Sequence, residues 1–214
     1  MNPADRENLK DHLRATIAGR TDGIDLDTPQ HWVISGIRGR HASRFFELCE
    51  HLLRPDSIFY FEGTSIAPDI VAFYAQHRAP NAVSVIRDTI HPVPETFHVT
   101  CSPTVITRLR ELSETHALPE ICDHVKAYHG QTLLFTFHDA FTSDLRVSQH
   151  IPEANIKAFC DAFGIGYTVE QTNARNPAEL QAFLNLLEDP NAMRKIRFAG
   201  EPRWRTWWRR LTGR

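Results

Sequence analysis

Cysteine is sparse in this chain, and no two cysteines form a CxxC pair: Cys49, Cys101, Cys122 and Cys160 are widely spaced. That spacing argues against a zinc ribbon or a disulfide scaffold and fits reduced thiols in a cytoplasmic compartment. The twelve histidines form neither HExxH nor HxH, and no GxxxxGK[ST] loop occurs. The usual sequence signatures of zinc hydrolases and P-loop nucleotide binding are therefore missing. No apolar run approaches the ~20 residues a membrane-spanning helix needs. The opening MNPADRENLKDHLRA is too polar for a secretory signal, and no internal repeat or low-complexity tract is present. Together these absences predict a soluble chain with neither metal nor cofactor.

The 214 residues are enough for one well-buried core. Net charge is only −2, but it is unevenly spread. Residues 194–214 hold eight Lys/Arg against the single acid Glu201, a local +7, which leaves −9 on the other 193 residues. Three stretches follow from this: an N-terminal helix and connector (1–29), a single α/β core domain (30–189), and a basic, Arg/Trp-rich C-terminal tail (190–214).

In the tail, Trp204, Trp207, Trp208 and Leu211 fall at i, i+3, i+4 and i+7 among arginines. On a helix this is a narrow aromatic stripe. Arg203, Trp204, Trp207 and Trp208 are the candidate partner-binding residues, since tryptophan and arginine anchor many contacts between macromolecules. The same stripe would also suit an anionic membrane surface or nucleic acid.

Within the core, strands are expected at Trp32–Ile34, Ser57–Phe61, Ala82–Ile86, Thr96–Cys101 and Gly164–Val169, with a short edge strand at Leu145–Val147. Helices are expected over residues 3–19, Ala42–Leu53, Pro68–His77, a segment opened by Ser102-Pro103, Pro152–Phe163 and Pro177–Leu187. Ser57–Phe61 and Ala82–Ile86 could flank a βαβ unit. The pattern predicts α+β, or an irregular three-layer α/β domain, with a mixed sheet of about five or six strands.

The stretch EICDHVKAYHGQTLLFTFHDAF, residues 120–141, reads as a β-hairpin over 121–137. With His129 and Gly130 at the turn corners, Val125 would face Leu134 and Asp123 would face Thr136. Asp123 and His138 would then be diagonal neighbours on one face, with His124 and Asp139 more loosely together on the other. An Asp–His pair is the arrangement general acid–base chemistry uses, because a carboxylate orients the imidazole. A metal site assembled across strands from His98, His124 or His138 with Asp123 or Asp139 is geometrically conceivable, but no ligand spacing supports it.

Two further stretches are candidates. Gly36-Ile37-Arg38-Gly39-Arg40-His41 leads into a helix, and Arg38, Arg40 and Arg44 could hold an anion there. Glu62, Thr64 and Ser65 follow the Ser57–Phe61 strand, where α/β proteins often place sites.

No motif identifies a characterised family. The leading expectation is an intracellular interaction module acting through macromolecular contacts, most simply with another protein. The competing expectation is a hydrolase or transferase for an anionic small molecule, with Asp123 and His138 as the acid–base pair.

Overall fold

Strands in this chain alternate large apolar residues with polar or ionisable ones, and that alternation sets the architecture. In the computed structural model the described residues are 23–171 without Asp27, Ile90 and His91, together with Glu7, Lys10, Leu184 and Asn185. The chain forms two compact units, one of Asp22–Thr172 and one joining Met1–Thr21 to Asn173–Arg214. In the latter, Lys10 Nζ lies 3.0 Å from Glu7 Oε2, and Leu184 is buried. The expected tail helix lies outside the described residues, as does nearly all of the helix expected at Pro177–Leu187.

The larger unit runs β1 (Gln30–Ile34), α1 (Ala42–Leu48), β2 (Ile58–Gly63), α2 (Pro68–Gln76), β3 (Glu95–Thr100), α3 (Pro103–Thr115), α4 (Leu118–Ile121), β4 (His124–His129), β5 (Thr132–Phe137), β6 (Leu145–Ser148), α5 (Glu153–Phe163) and β7 (Tyr167–Gln171). Its strands form one seven-stranded sheet in the order β3-β2-β4-β5-β6-β1-β7. Every pairing in it is antiparallel. The fold is α+β, with one strand more than the sequence predicts and without the parallel part of a mixed sheet.

Helix ends follow local chemistry. Ser102 Oγ accepts from the Val105 N–H (3.2 Å) with proline next in the chain, so the start of α3 is capped. Gly164 ends α5 at φ +71, a left-handed position that suits glycine.

The helices cover one face of the sheet. Phe59, Phe61, Val125, Ala127, Phe135, Phe137 and Val147 point into this core, and none of them is exposed. Phe45 of α1 sits at the centre, its ring centroid 5.5 Å from those of Phe137 and Phe141 and 5.8 Å from that of Phe135. Edge-on aromatic packing adds to the area buried.

Three expectations are corrected. Ala82–Ile86 is not a sheet strand; it meets Ile24 through a single parallel bridge at Val85 and makes no βαβ unit. Leu145–Val147 lies inside the sheet, between β5 and β1, instead of at an edge. The hairpin is where it was predicted, but its register differs. His129 pairs with Thr132, so Gly130 and Gln131 are the corners. Gly130 takes φ +57, a left-handed value glycine tolerates better than histidine.

A shift in register between Ala127 and Tyr128 then leaves Leu134 as an extra residue on β5. The bulge lets Leu134, Phe135 and Phe137 all reach the core, while Leu133 joins Tyr128, Tyr60 and Val85 in a small cluster on the other face. Val125 therefore faces Phe137, and Lys126 faces Thr136.

Candidate functional site

Opposite the phenylalanine core, the sheet presents Tyr60, Glu62, His124, Lys126 and Tyr128, with His138 just past the end of β5. Charged groups on a sheet face normally stay in water. Here Glu62 and Lys126 are 0% and 1% exposed and His124 is 4%, because residues 83–89 cross this face as a strap.

The sheet's own side chains hold the strap. Tyr128 Oη accepts from the Val83 N–H (3.4 Å), and Lys126 Nζ donates to the Ile86 carbonyl (2.6 Å). The Glu62 carboxyl accepts from the backbone N–H groups of Asp88 (3.1 Å) and Thr89 (2.5 Å) and from the Tyr60 hydroxyl (3.1 Å). His124 Nε2 pairs with Thr89 Oγ1 at 3.0 Å. These bonds satisfy the backbone of a segment that has no ladder of its own, as burial requires.

Asp88 closes the network. Its Oδ1 is 3.0 Å from Lys126 Nζ, and its Oδ2 is 3.4 Å from His138 Nδ1. Burial alone would raise this carboxyl, but the Lys126 ammonium and the two imidazoles outweigh it and hold Asp88 below the ordinary carboxylate range. His124 moves down from the ordinary histidine value through burial and the charge of His138, against the pull of Asp88, Glu62 and Asp139.

The imidazoles of His124 and His138 stack, with centroids 4.3 Å apart and planes 11° from parallel. His124 Nδ1 accepts the Asp139 backbone N–H at 2.8 Å. The proton of neutral His124 is thereby assigned to Nε2, where it is donated to Thr89. His138 Nε2 lies 3.6 Å from Asp139 Oδ2, is covered, and makes no hydrogen bond among the described residues.

Asp88, His124 and His138 bring ligand atoms within 4.8 Å of one another, close enough to raise the question of a metal. The ring geometry does not suit one. A coordinating imidazole holds the ion in its own plane, and two stacked, near-parallel planes share no such point. Both nitrogens of His124 are also engaged, and the Lys126 ammonium already occupies the Asp88 carboxylate.

The expected pair of Asp123 and His138 is distributed differently. Asp123 Oδ2 accepts from both the N–H and the hydroxyl of Thr64, each at 2.8 Å, and so shapes the loop after β2. The carboxylates nearest His138 are those of Asp88 and Asp139. The bulge at Leu134 is the reason, since it sets His124 on the same face as His138.

The arginines stand elsewhere. Arg44 belongs to α1, which packs on the phenylalanine face, and it bonds Glu47 (2.7 Å) and the Ala162 carbonyl (3.4 Å). Arg38 donates to the Ile37 carbonyl at 2.9 Å, and Arg40 Nε lies 3.1 Å from His41 Nε2. The anion-binding candidates and the histidine cluster thus fall on opposite faces of the sheet. Arg203, Trp204, Trp207 and Trp208 lie outside the described residues.

The four thiols are free. Burial raises each of them, Cys160 to about 11, which keeps them protonated at neutral pH.

Sequence reasoning flagged Glu62, His124, His138 and Asp139 but missed Lys126, Asp88 and Thr89. A lysine inside the run His124–His129 is a weak signal, because strands with one wet face carry lysine routinely. Asp88 and Thr89 lie far from the hairpin in sequence, and only the strap's path brings them to it. No family model matches the chain, and neither does any curated protein or solved structure.

Proposed function

We propose that this chain is a binding module, acting through contact with another macromolecule and most simply with another protein. One observation carries the reading: reactive side chains of the larger unit are already committed internally. Glu62 and Lys126 hold the strap, His124 uses both ring nitrogens, Asp123 is taken by Thr64, and the thiols are buried or half-buried and protonated. The uneven charge supports it, because an Arg/Trp segment beside an otherwise acidic chain offers two different contact surfaces. Free thiols fit a cytoplasmic location, and among the described residues no helix is long and apolar enough to cross a membrane.

The test is native mass spectrometry of full-length protein purified from its own host, beside a variant lacking residues 194–214 and the double variant Asp88→Asn/His138→Ala. Removing the tail should abolish association, and the double variant should keep it. Unchanged association after truncation overturns the assignment to Arg203, Trp204, Trp207 and Trp208. Retention of the tail by anionic vesicles or nucleic acid, without a protein, changes the class of partner.

A second reading rests on His138. Among the described residues its Nε2 is covered and makes no hydrogen bond, while its Nδ1 faces the Asp88 carboxylate. A carboxylate-oriented imidazole can act as a general base toward water in a hydrolase or transferase. With three carboxyl groups and one ammonium nearby, the reacting group would be neutral or cationic. The anionic substrate first expected would suit the arginine face instead. In the same mass spectra, a bound small molecule lost from the double variant would favour this reading.

A further inference from the structure

The structure joins two loops of different origin on one imidazole. His124 Nδ1 holds the Asp139 N–H, and its Nε2 holds Thr89 Oγ1. Only neutral imidazole protonated on Nε2 makes both bonds. A second proton would go to Nδ1, where it meets an N–H instead of a lone pair. The turn held there is itself unusual, since Asp139 and Phe141 adopt φ of +43 and +67 without being glycine. Other ties of the turn include the Ala140 N–H to the Asp123 carbonyl (2.8 Å), the Thr142 N–H (2.9 Å), Thr142 hydroxyl (2.8 Å) and Ser143 N–H (3.2 Å) to the Asp139 carbonyl, and the Ser143 hydroxyl to the His138 carbonyl.

We propose that His124 is a proton-operated latch: neutral, it ties the strap at Thr89 to the β5–β6 turn at Asp139, and on protonation, with Nε2 still donating to Thr89, it lets go of the Asp139 N–H and frees the turn beside His138. Groups facing it from each packed element set the balance. Glu62 lies opposite it on β2, Asp88 comes from the strap, and Asp139 comes from the turn; all three favour the added charge. Burial and the stacked His138 oppose it, and Lys126 neutralises Asp88.

The sign follows from that balance. Native His124 titrates below its unfolded value, so the clasp is at full strength above about pH 6.5 and weakens as pH falls through the lower native value. His138 acts as a brake, because its own charge delays the second proton.

Amide hydrogen exchange on the full chain between pH 8 and pH 5, corrected for the intrinsic pH dependence of exchange, tests this. Protection at Asp139 should fall about tenfold per pH unit once His124 begins to charge, while Val125, Phe135 and the Thr89 amide, which is held by Glu62, stay protected. His124→Asn, which keeps an acceptor for the Asp139 N–H but cannot charge, should abolish that dependence. His138→Gln should move the transition to higher pH. The proposal is overturned if wild type and His124→Asn respond alike, or if the Thr89 amide or the core amides open together with Asp139. Should His124→Asn fail to fold, the imidazole ¹⁵N shifts of the wild type decide. A neutral ring protonated on Nε2 at pH 7 upholds the latch, and a charged ring or an Nδ1–H tautomer refutes it.

Discussion

Replacing Lys126 with methionine keeps the bulk of the side chain and removes its charge. The lysine is 1% exposed and donates to the Ile86 carbonyl at 2.6 Å and to Asp88 Oδ1 at 3.0 Å. Without it, Asp88 is left as a charge with no ammonium. Stranding one member of a buried pair costs about 3–5 kcal/mol. About a fifth of the Asp88 side chain still reaches water (21% exposed), so the lower end of that range applies. The orphaned Ile86 carbonyl adds about 1 kcal/mol. The expected loss is therefore about 3–4 kcal/mol at pH 7, read as the shift in urea midpoint followed by far-UV circular dichroism.

The pH dependence sharpens the test. In the native protein the Asp88 pKa is depressed, so its contribution is present above about pH 4 and lost as pH falls through the native value. In Lys126→Met, burial dominates and lifts the Asp88 pKa above its unfolded value, which penalises the variant most at neutral pH. The gap between the two proteins should narrow toward pH 4. Adding Asp88→Asn should restore most of the loss, because the stranded charge is gone. The exposed Lys157→Met, whose partner Asp161 is one helical turn away, should leave the midpoint in place. A loss below about 1 kcal/mol, or a gap that stays constant on acidification, would refute the reasoning.

Asp123→Asn should cost about 1 kcal/mol through the Thr64 loop and leave the His138 imidazole NMR signals unmoved, whereas Asp88→Asn should shift them. Phe45→Ala removes the ring at the centre of the aromatic cluster, and thermal melts should register a loss of about 3–5 kcal/mol. Gly130→Ala meets no atom within 4 Å, so its expected cost of about 1 kcal/mol is that of the left-handed backbone alone. A larger loss in its melting curve would mean that the turn geometry is wrong.

Local signals marked much of this fold correctly. The Ser102-Pro103 cap, the Phe-rich strands and the glycine in the hairpin turn each carry their cause within a few residues. What was hidden depended on counting across the hairpin. The one bulged residue, Leu134, decided whether Asp123 or His124 shares a face with His138, since the step in the turn alone would set Asp123 opposite His138. Period-two alternation cannot reveal an extra residue, because every residue from Leu133 to Phe135 is apolar. Val85 looked like strand because it is buried, but a single bridge to Ile24 and side chains from the sheet, not a strand of the sheet, satisfy the backbone around it. The commitment of Lys126 was equally invisible: a lysine reads as solvated until something is known to cross above it.

The strap also fixes an order of assembly. Its anchors come from β2 and β4, which flank it in sequence, and neither strand alone presents the full set. Glu62 must already lie opposite His124, and Tyr60 opposite Lys126, before residues 83–89 have anything to bind. Docking of the strap therefore follows closure of the long loop between these strands, and closing such loops is slow relative to forming the hairpin. It should be among the last segments to gain protection during refolding and among the first to be cut by a protease when the sheet still stands.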